Sequence, residues 1–195
     1  MELVIDTASG ALSVALIDGP TVVSDYHAVI GRGHAETIVG IVADLVGDRG
    51  GTVRGIVVDI GPGSFTGVRI GIAAARALGL AWGVPVAGVG ALALIAAAAF
   101  AADPTDVVVA TTDAGRGEIY WQVFARAGLT ALTAPVAGSV VMVIVPEGAG
   151  IAGTGAAAIP GRHIAVAEPR ARDARLLPMS ARGDPDPLYL RSATA

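Results

Sequence analysis

Neither cysteine nor lysine occurs among the 195 residues. The first absence excludes disulfides, thiolate metal sites and a cysteine nucleophile, and it fits a reducing compartment. The second excludes a Schiff-base amine, a P-loop lysine and a lysine general base, since all 13 basic residues are arginine. Aromatic residues are few, 4% of a chain that is 53% hydrophobic, so Ala, Val, Gly, Ile and Leu must fill the core. Positive charge is not in excess: the formal net charge is -4, which gives no broad basic footprint for autonomous nucleic-acid binding. No basic segment precedes an apolar run at the N-terminus, and Glu2 and Asp6 interrupt it, so it does not read as a signal peptide. Ala77 to Ala102 carries no charge and is long enough to span a bilayer. Pro85, Gly79, Gly83, Gly88 and Gly90 break it into a helix end, a short strand and a new helix. A cytoplasmic protein with no membrane segment is expected.

The stretch with most information is Gly61 to Gly83, G-P-G-S-F-T-G-V-R-I-G-I-A-A-A-R-A-L-G-L-A-W-G. It follows the apolar run Gly55 to Ile60, which reads as a buried strand. Gly61, Gly63 and Gly67 permit a sharp turn and close backbone approach. Ser64 or Thr66 can cap the helix that follows. Strand, glycine loop and helix is also the geometry that offers N–H groups to an anion. Within the helix, Gly67, Gly71, Ala75, Gly79 and Gly83 recur every four residues. Such a smooth ridge lets a second helix approach closely. Arg69 and Arg76 mark the polar stripe.

In chain order, strands are expected at Leu3 to Asp6, at Leu12 to Leu16 and at Thr21 to Ala28. A helix over 34–46 follows, with Ile38, Ile41, Val42 and Leu45 at helical spacing. After the glycine loop come a helix over 66–82, a strand over 84–89 and a helix over 91–102. The order β-β-β-α-β-α-β-α implies a mixed sheet. Asp113-Ala-Gly-Arg-Gly117 then repeats the pattern of Asp6-Thr-Ala-Ser-Gly10, and at the same offset Leu12 meets Ile119, Val14 meets Trp121 and Leu16 meets Val123. This reads as an internal duplication, with subdomains 1–104 and 105–195. Strands over 129–136 and 140–145 and an arginine-rich helix over 170–182 are the expected elements of the second half, which is abbreviated.

Duplicated halves of this order, each led by an aspartate, resemble the actin, sugar-kinase and heat-shock-chaperone superfamily, whose fold is α/β and RNase H-like. I-D-T-A at 5–8, G-P-G-S-F-T-G-V-R-I-G at 61–71, T-D-A-G-R-G-E-I-Y-W at 112–121 and P-L-Y-L-R at 187–191 resemble the TsaB (YeaZ) family. The 61–71 string is the most specific. The resemblance implies a non-catalytic partner of TsaD, acting with TsaE in placing threonylcarbamoyl on the adenosine beside the anticodon of tRNAs reading ANN codons. It implies pairing with TsaD, or with a second copy when alone, through helices 34–46 and 66–82, tRNA being met only indirectly. The interface residues would be His34, Ile38, Ile41, Val42, Leu45, Arg69, Ile72, Ala75, Arg76 and Gly79. The catalytic relative carries a histidine pair on the helix equivalent to 91–102, whereas this helix opens Ala91-Leu-Ala-Leu-Ile-Ala-Ala97.

Two other readings stay open. A small-molecule kinase or ATPase would use Asp6 and Asp113, with Thr7 and Gly63 as further ligand-binding positions. Against it, Asp6 can simply cap the turn after the first strand. A glycoprotease-like hydrolase would need metal-binding histidines or a nucleophile–base pair, and His27, His34 and His163 have neither metal-site spacing nor flanking carboxylates. No metal and no cofactor of the chain alone is expected. ATP or ADP would enter only in the complex.

Overall fold

The computed structural model describes residues 1–190. Arg191, the last residue of P-L-Y-L-R, lies outside them. β1 (Glu2–Asp6), β2 (Ala11–Asp18) and β3 (Thr21–Val29) form an antiparallel meander. α1 (His34–Val46) follows, then β4 (Gly55–Asp59), α2 (Phe65–Trp82), β5 (Val86–Val89) and α3 (Ala91–Ala102). β4 joins the free side of β1 in parallel and β5 joins β4, giving the order β3-β2-β1-β4-β5. The second sheet holds β6 (Val107–Gly115), β7 (Glu118–Ala125), β8 (Thr130–Ala131), β9 (Val136–Ser139), β10 (Gly150–Gly153) and β11 (Arg162–His163). Its order is β11-β10-β6-β7-β8, with β9 also paired to β7. Each sheet is thus a hairpin whose first strand takes a parallel partner on its other side. This is the duplicated, mixed-sheet α/β architecture of the actin-like fold.

Local chemistry sets the helix ends. Ser64 accepts a hydrogen bond from Gly67 N–H and caps α2, while Gly83, at φ 65°, closes it. α3 is apolar all round because it is the shared filling between the sheets. Leu92, Ile95, Ala96 and Phe100 meet Val108, Ala110, Tyr120 and Phe124 of the second sheet. Leu94 and Ala97 meet Val4, Ala15, Ile17 and Val57 of the first. The outer face of the first sheet, Leu3, Ile5, Leu12, Val14 and Ile56, is covered by α1 and α2.

The second half has no such cover. Between β9 and β10 and between β10 and β11 the chain makes only short 3-10 turns, at Val140–Met142 and Ala156–Ala158. The expected strand over 140–145 is therefore irregular. Val140, Val143 and Val145 pack inward on Val109, Trp121 and Ile151, leaving Val141, Met142 and Ile144 exposed. The expected strand over 129–136 is split into β8 and β9. The expected helix over 170–182 is two 3-10 turns, Ala171–Leu176 and Met179–Ala181. Pro178 supplies no N–H and holds Leu177 extended, so a continuous helix cannot form.

Nor does the chain keep to a division at 104/105. The turn Ala171–Leu176 packs beneath β1, β2 and β3, and Ala171 N–H donates to Ser13 Oγ at 3.0 Å. Gly183 bridges to Gly88 of β5, and Leu188 N–H donates to Ile60 O at 2.8 Å. The end of the second half completes the first.

Candidate functional site

Between the two hairpin turns lies a cleft of about 410 Å³, lined by Ala8, Gly10, Gly63, Thr112, Asp113 and Thr154 among others. Several N–H groups of these turns and of the adjoining glycine loop bond within the chain. Ala8 N–H donates to Asp6 Oδ1 at 2.9 Å, Ser64 N–H to Ala8 O at 2.6 Å, and Gly61 N–H to Asp59 Oδ1 at 2.7 Å. On the opposite wall Gly115 N–H donates to Asp113 Oδ1 and Asp113 N–H to Thr154 Oγ1, both at 2.8 Å. The glycine loop presses on the Asp6–Ala8 turn so closely that a side chain at Gly63 would strike the Ala8 carbonyl. Thr7 Oγ1 donates to Gly67 O at 2.7 Å. Asp6, Thr7 and Gly63 therefore lock two loops together.

Asp6 has a partner that the sequence reading missed. Asp59 ends β4 beside it, and both are buried. Neither Oδ2 meets a donor from any other described residue. Burial pushes Asp6 up to about 7. Burial first, and the Asp6 charge second, hold Asp59 well above the carboxylate range. Two carboxyls so placed favour a proton held between them, which would satisfy both orphan oxygens. An acidic residue inside the apolar run 55–60 was the only sequence signal.

The symmetry mate of Asp6 is not Asp113. Asp6 pairs with Ser13 across β1–β2, and the equivalent of Ser13 on β7, Tyr120, pairs with Thr112. A bulge between Asp113 and Gly115 displaces the motif by one residue. Thr112 and Thr154, whose hydroxyls are 3.3 Å apart, thus stand where the first half has Asp6 and Asp59. Asp113 is exposed and caps its own turn. Among the described residues no three His, Cys, Asp or Glu side chains gather as a metal-binding group.

The helix pair needs correction. Ile38, Val42, Ile72 and Ala75 lie in the chain's own core, Gly79 is also buried, and His34 turns inward to Ala11 O at 3.2 Å. The small-residue ridge of α2 meets the sheet rather than another helix. A Cβ at Gly71 would lie 2.5 Å from Thr7 Oγ1, and one at Gly79 2.5 Å from Val86 Cγ2. Repetition every four residues marks a close contact without saying what makes it. Ile41 and Leu45 are half-buried against the same core. The outward strip is instead Val39, Gly40 and Ala43 on α1 with Ala73, Ala77 and Leu80 on α2. Val39 is 62% and Leu80 88% exposed.

Arg69 and Arg76 do lie on the surface, where they hold the chain's own C-terminal segment. The Arg69 guanidinium stacks 3.3 Å from the Phe65 ring centroid and 5.1 Å from that of Tyr189. Arg76 Nη2 donates to Asp186 Oδ1 at 2.7 Å and to Pro185 O at 3.0 Å.

The class that fold and site define is a duplicated actin-like protein whose first-half helix pair turns a small, apolar strip outward. A family model described as TsaD: tRNA N6-adenosine threonylcarbamoyltransferase matches residues 25–159. The chain is 38% identical over 127 residues to the tRNA threonylcarbamoyladenosine biosynthesis protein TsaB of Escherichia coli K12, covering 64% of this chain and 54% of that protein. It is 33% identical over 121 residues to the Bacillus subtilis protein of the same name, covering 60% and 52%. The solved structure of YeaZ from Pseudomonas aeruginosa superimposes with a TM-score of 0.84 at 29% identity, covering 97% of this chain and 99% of that one. The chain belongs to the family of this model, on its TsaB (YeaZ) branch. The alignments reach about half the length of the curated relatives.

Proposed function

We propose that this chain is a non-catalytic subunit in tRNA threonylcarbamoyladenosine formation, pairing with a TsaD-type transferase and working beside TsaE. Its family membership and its relatives' names support the pathway. The observation that carries the partner role is the outward strip on α1 and α2, which is free of charge along its centre and set on an otherwise complete half. Two such helices can meet two counterparts as a four-helix seam, and the same strip serves a homodimer when the chain is alone. Part of the backbone donor set of the cleft between the turns is committed within the chain, and in this reading ATP or ADP is a ligand of the assembled pair rather than of the chain alone. Contact with tRNA is indirect.

Ala77→Glu tests the seam. A carboxylate buried there without a partner weakens binding by several kcal/mol. The expected protein is folded by circular dichroism, fails to co-elute with TsaD and no longer supports modification of tRNA. Ala75→Glu, two positions earlier but inside the core, should lose the fold itself. A folded Ala77→Glu protein that still pairs and still supports modification would place the interface elsewhere and overturn the proposal.

A further inference from the structure

A second cavity, of about 630 Å³, opens on the other side of Glu168 from the turn cleft. Its floor is the end of α3, where Ala98, Ala101 and Ala102 leave the space unfilled. One wall is the 3-10 turn that follows Arg170, and His27 of β3 faces it. Arg170, Arg172 and Arg175 all line it, against the carboxylates of Glu168 and Asp173. Two of these five groups have ion-pair partners. Glu168 lies 3.5 Å from His27 Nε2, and Arg172 lies 3.6 Å from Asp25. Burial pushes the Asp173 carboxyl up, against the pull of Arg172, Arg175 and Arg170. Arg170 and Arg175 have no side-chain acceptor among the described residues. Two buried polar atoms bordering the cavity also lack a partner among the described residues: His27 Nδ1 and Arg175 Nε. Buried polar atoms are rarely left so.

The geometry points to a binding site for a small phosphate monoester between Arg170 and Arg175. A guanidinium fork matches phosphate oxygens, and two uncommitted forks over a small-residue floor suit one dianionic head with an organic body. The volume falls among small-molecule sites, which run to roughly 300–1,000 Å³. A polynucleotide is the poorer fit, because the chain's net charge of -4 steers a polyanion away. The inference does not depend on the partner role proposed above.

Titration of the whole protein with AMP and with inorganic phosphate at fixed ionic strength tests it. Saturable AMP binding is expected with a dissociation constant below about 1 mM, and the His27 ring resonances should shift along the same curve. Arg170→Gln with Arg175→Gln should weaken AMP binding at least about tenfold, as loss of charged hydrogen bonds does. Arg162→Gln should leave it unchanged, since Arg162 pairs with Asp103 outside the cavity. Should the double glutamine variant fail to fold by circular dichroism, Arg170→Lys with Arg175→Lys keeps the charge, loses the forks, and must still bind AMP several-fold more weakly. Absence of saturable binding, binding indifferent to these arginines, or a still His27 ring overturns the proposal. So does tighter binding of an RNA hairpin through the same two residues.

Discussion

Asp6 and Asp59 are held out of water at the ends of neighbouring strands, and a carboxyl in that setting keeps its proton. The unfolded chain has released both protons by the ordinary carboxylate range, whereas the folded chain retains them; Asp6 lets go near pH 7. Folding therefore takes up protons between those limits. Stability is full below the ordinary range and declines as pH rises towards 7, by about 1.4 kcal/mol per pH unit for each proton taken up. Urea denaturation at pH 5, 6 and 7 should show that decline, and Asp59→Asn should flatten it. An unchanged slope in the variant would remove the shared proton from the account. Asp6 was legible because it stands in a recognisable turn motif. Asp59 was not, because only the fold brings β4 beside β1. Glycines separate in the same way. Gly79→Leu drives a side chain into Val86 and should cost roughly 1–3 kcal/mol by overpacking. Gly40→Ala meets nothing within 4 Å and should gain about 0.5–1 kcal/mol of helix propensity. Thermal or chemical melting distinguishes the two.

Elements were easier to read than their surroundings. α1 and α3 have the boundaries that the apolar spacing and the flanking Gly33 and Gly90 imply, and Ser64 caps α2 as its side chain allows. Their facing was harder. In α1 the apolar spacing picks out the buried Ile38 and Val42 correctly as one stripe, but the stripe covers the sheet. The outward strip, Val39 with Ala43, has no periodicity of its own and is visible only once the inward side is fixed. The two arginines of α2 were legible as polar but not as a clasp, since their partners lie more than a hundred residues away. Arg76 and Asp186 are both well exposed, at 52% and 74% of their side chains, so Arg76→Ala should cost less than about 1 kcal/mol in global stability. Its effect should be local: amide hydrogen exchange at Gly88 and Gly183, which bond to one another, should quicken while the β1–β2 ladder keeps its protection. Equal acceleration at both places would mean that the clasp holds more than the segment it touches.

At the scale of the molecule, duplication was legible at the head of each half and lost in the middle. The second copy keeps the strands but replaces its covering helices with short turns, and glycine- and alanine-rich sequence such as 148–159 carries no periodic signal to report that. The return of residues 171–188 to the first sheet was equally hidden, because strand pattern says nothing of which sheet a later loop will join. Ending the chain after Ile164 should strip Ala171, Ala174 and Leu177 from Val4, Ala15 and Ile17. Circular dichroism should then show no cooperative melt; a truncated protein that melts like the full chain would make the returning segment an ornament. The same return bears on synthesis. The ribosome delivers the strands and helices of the first half, the last ending at Ala102, long before Ala171 exists, so their inner face must wait while about seventy further residues are made at roughly 5–20 per second. For that interval of seconds the growing chain depends on α3, or on a chaperone, to shield the face its own last segment will close.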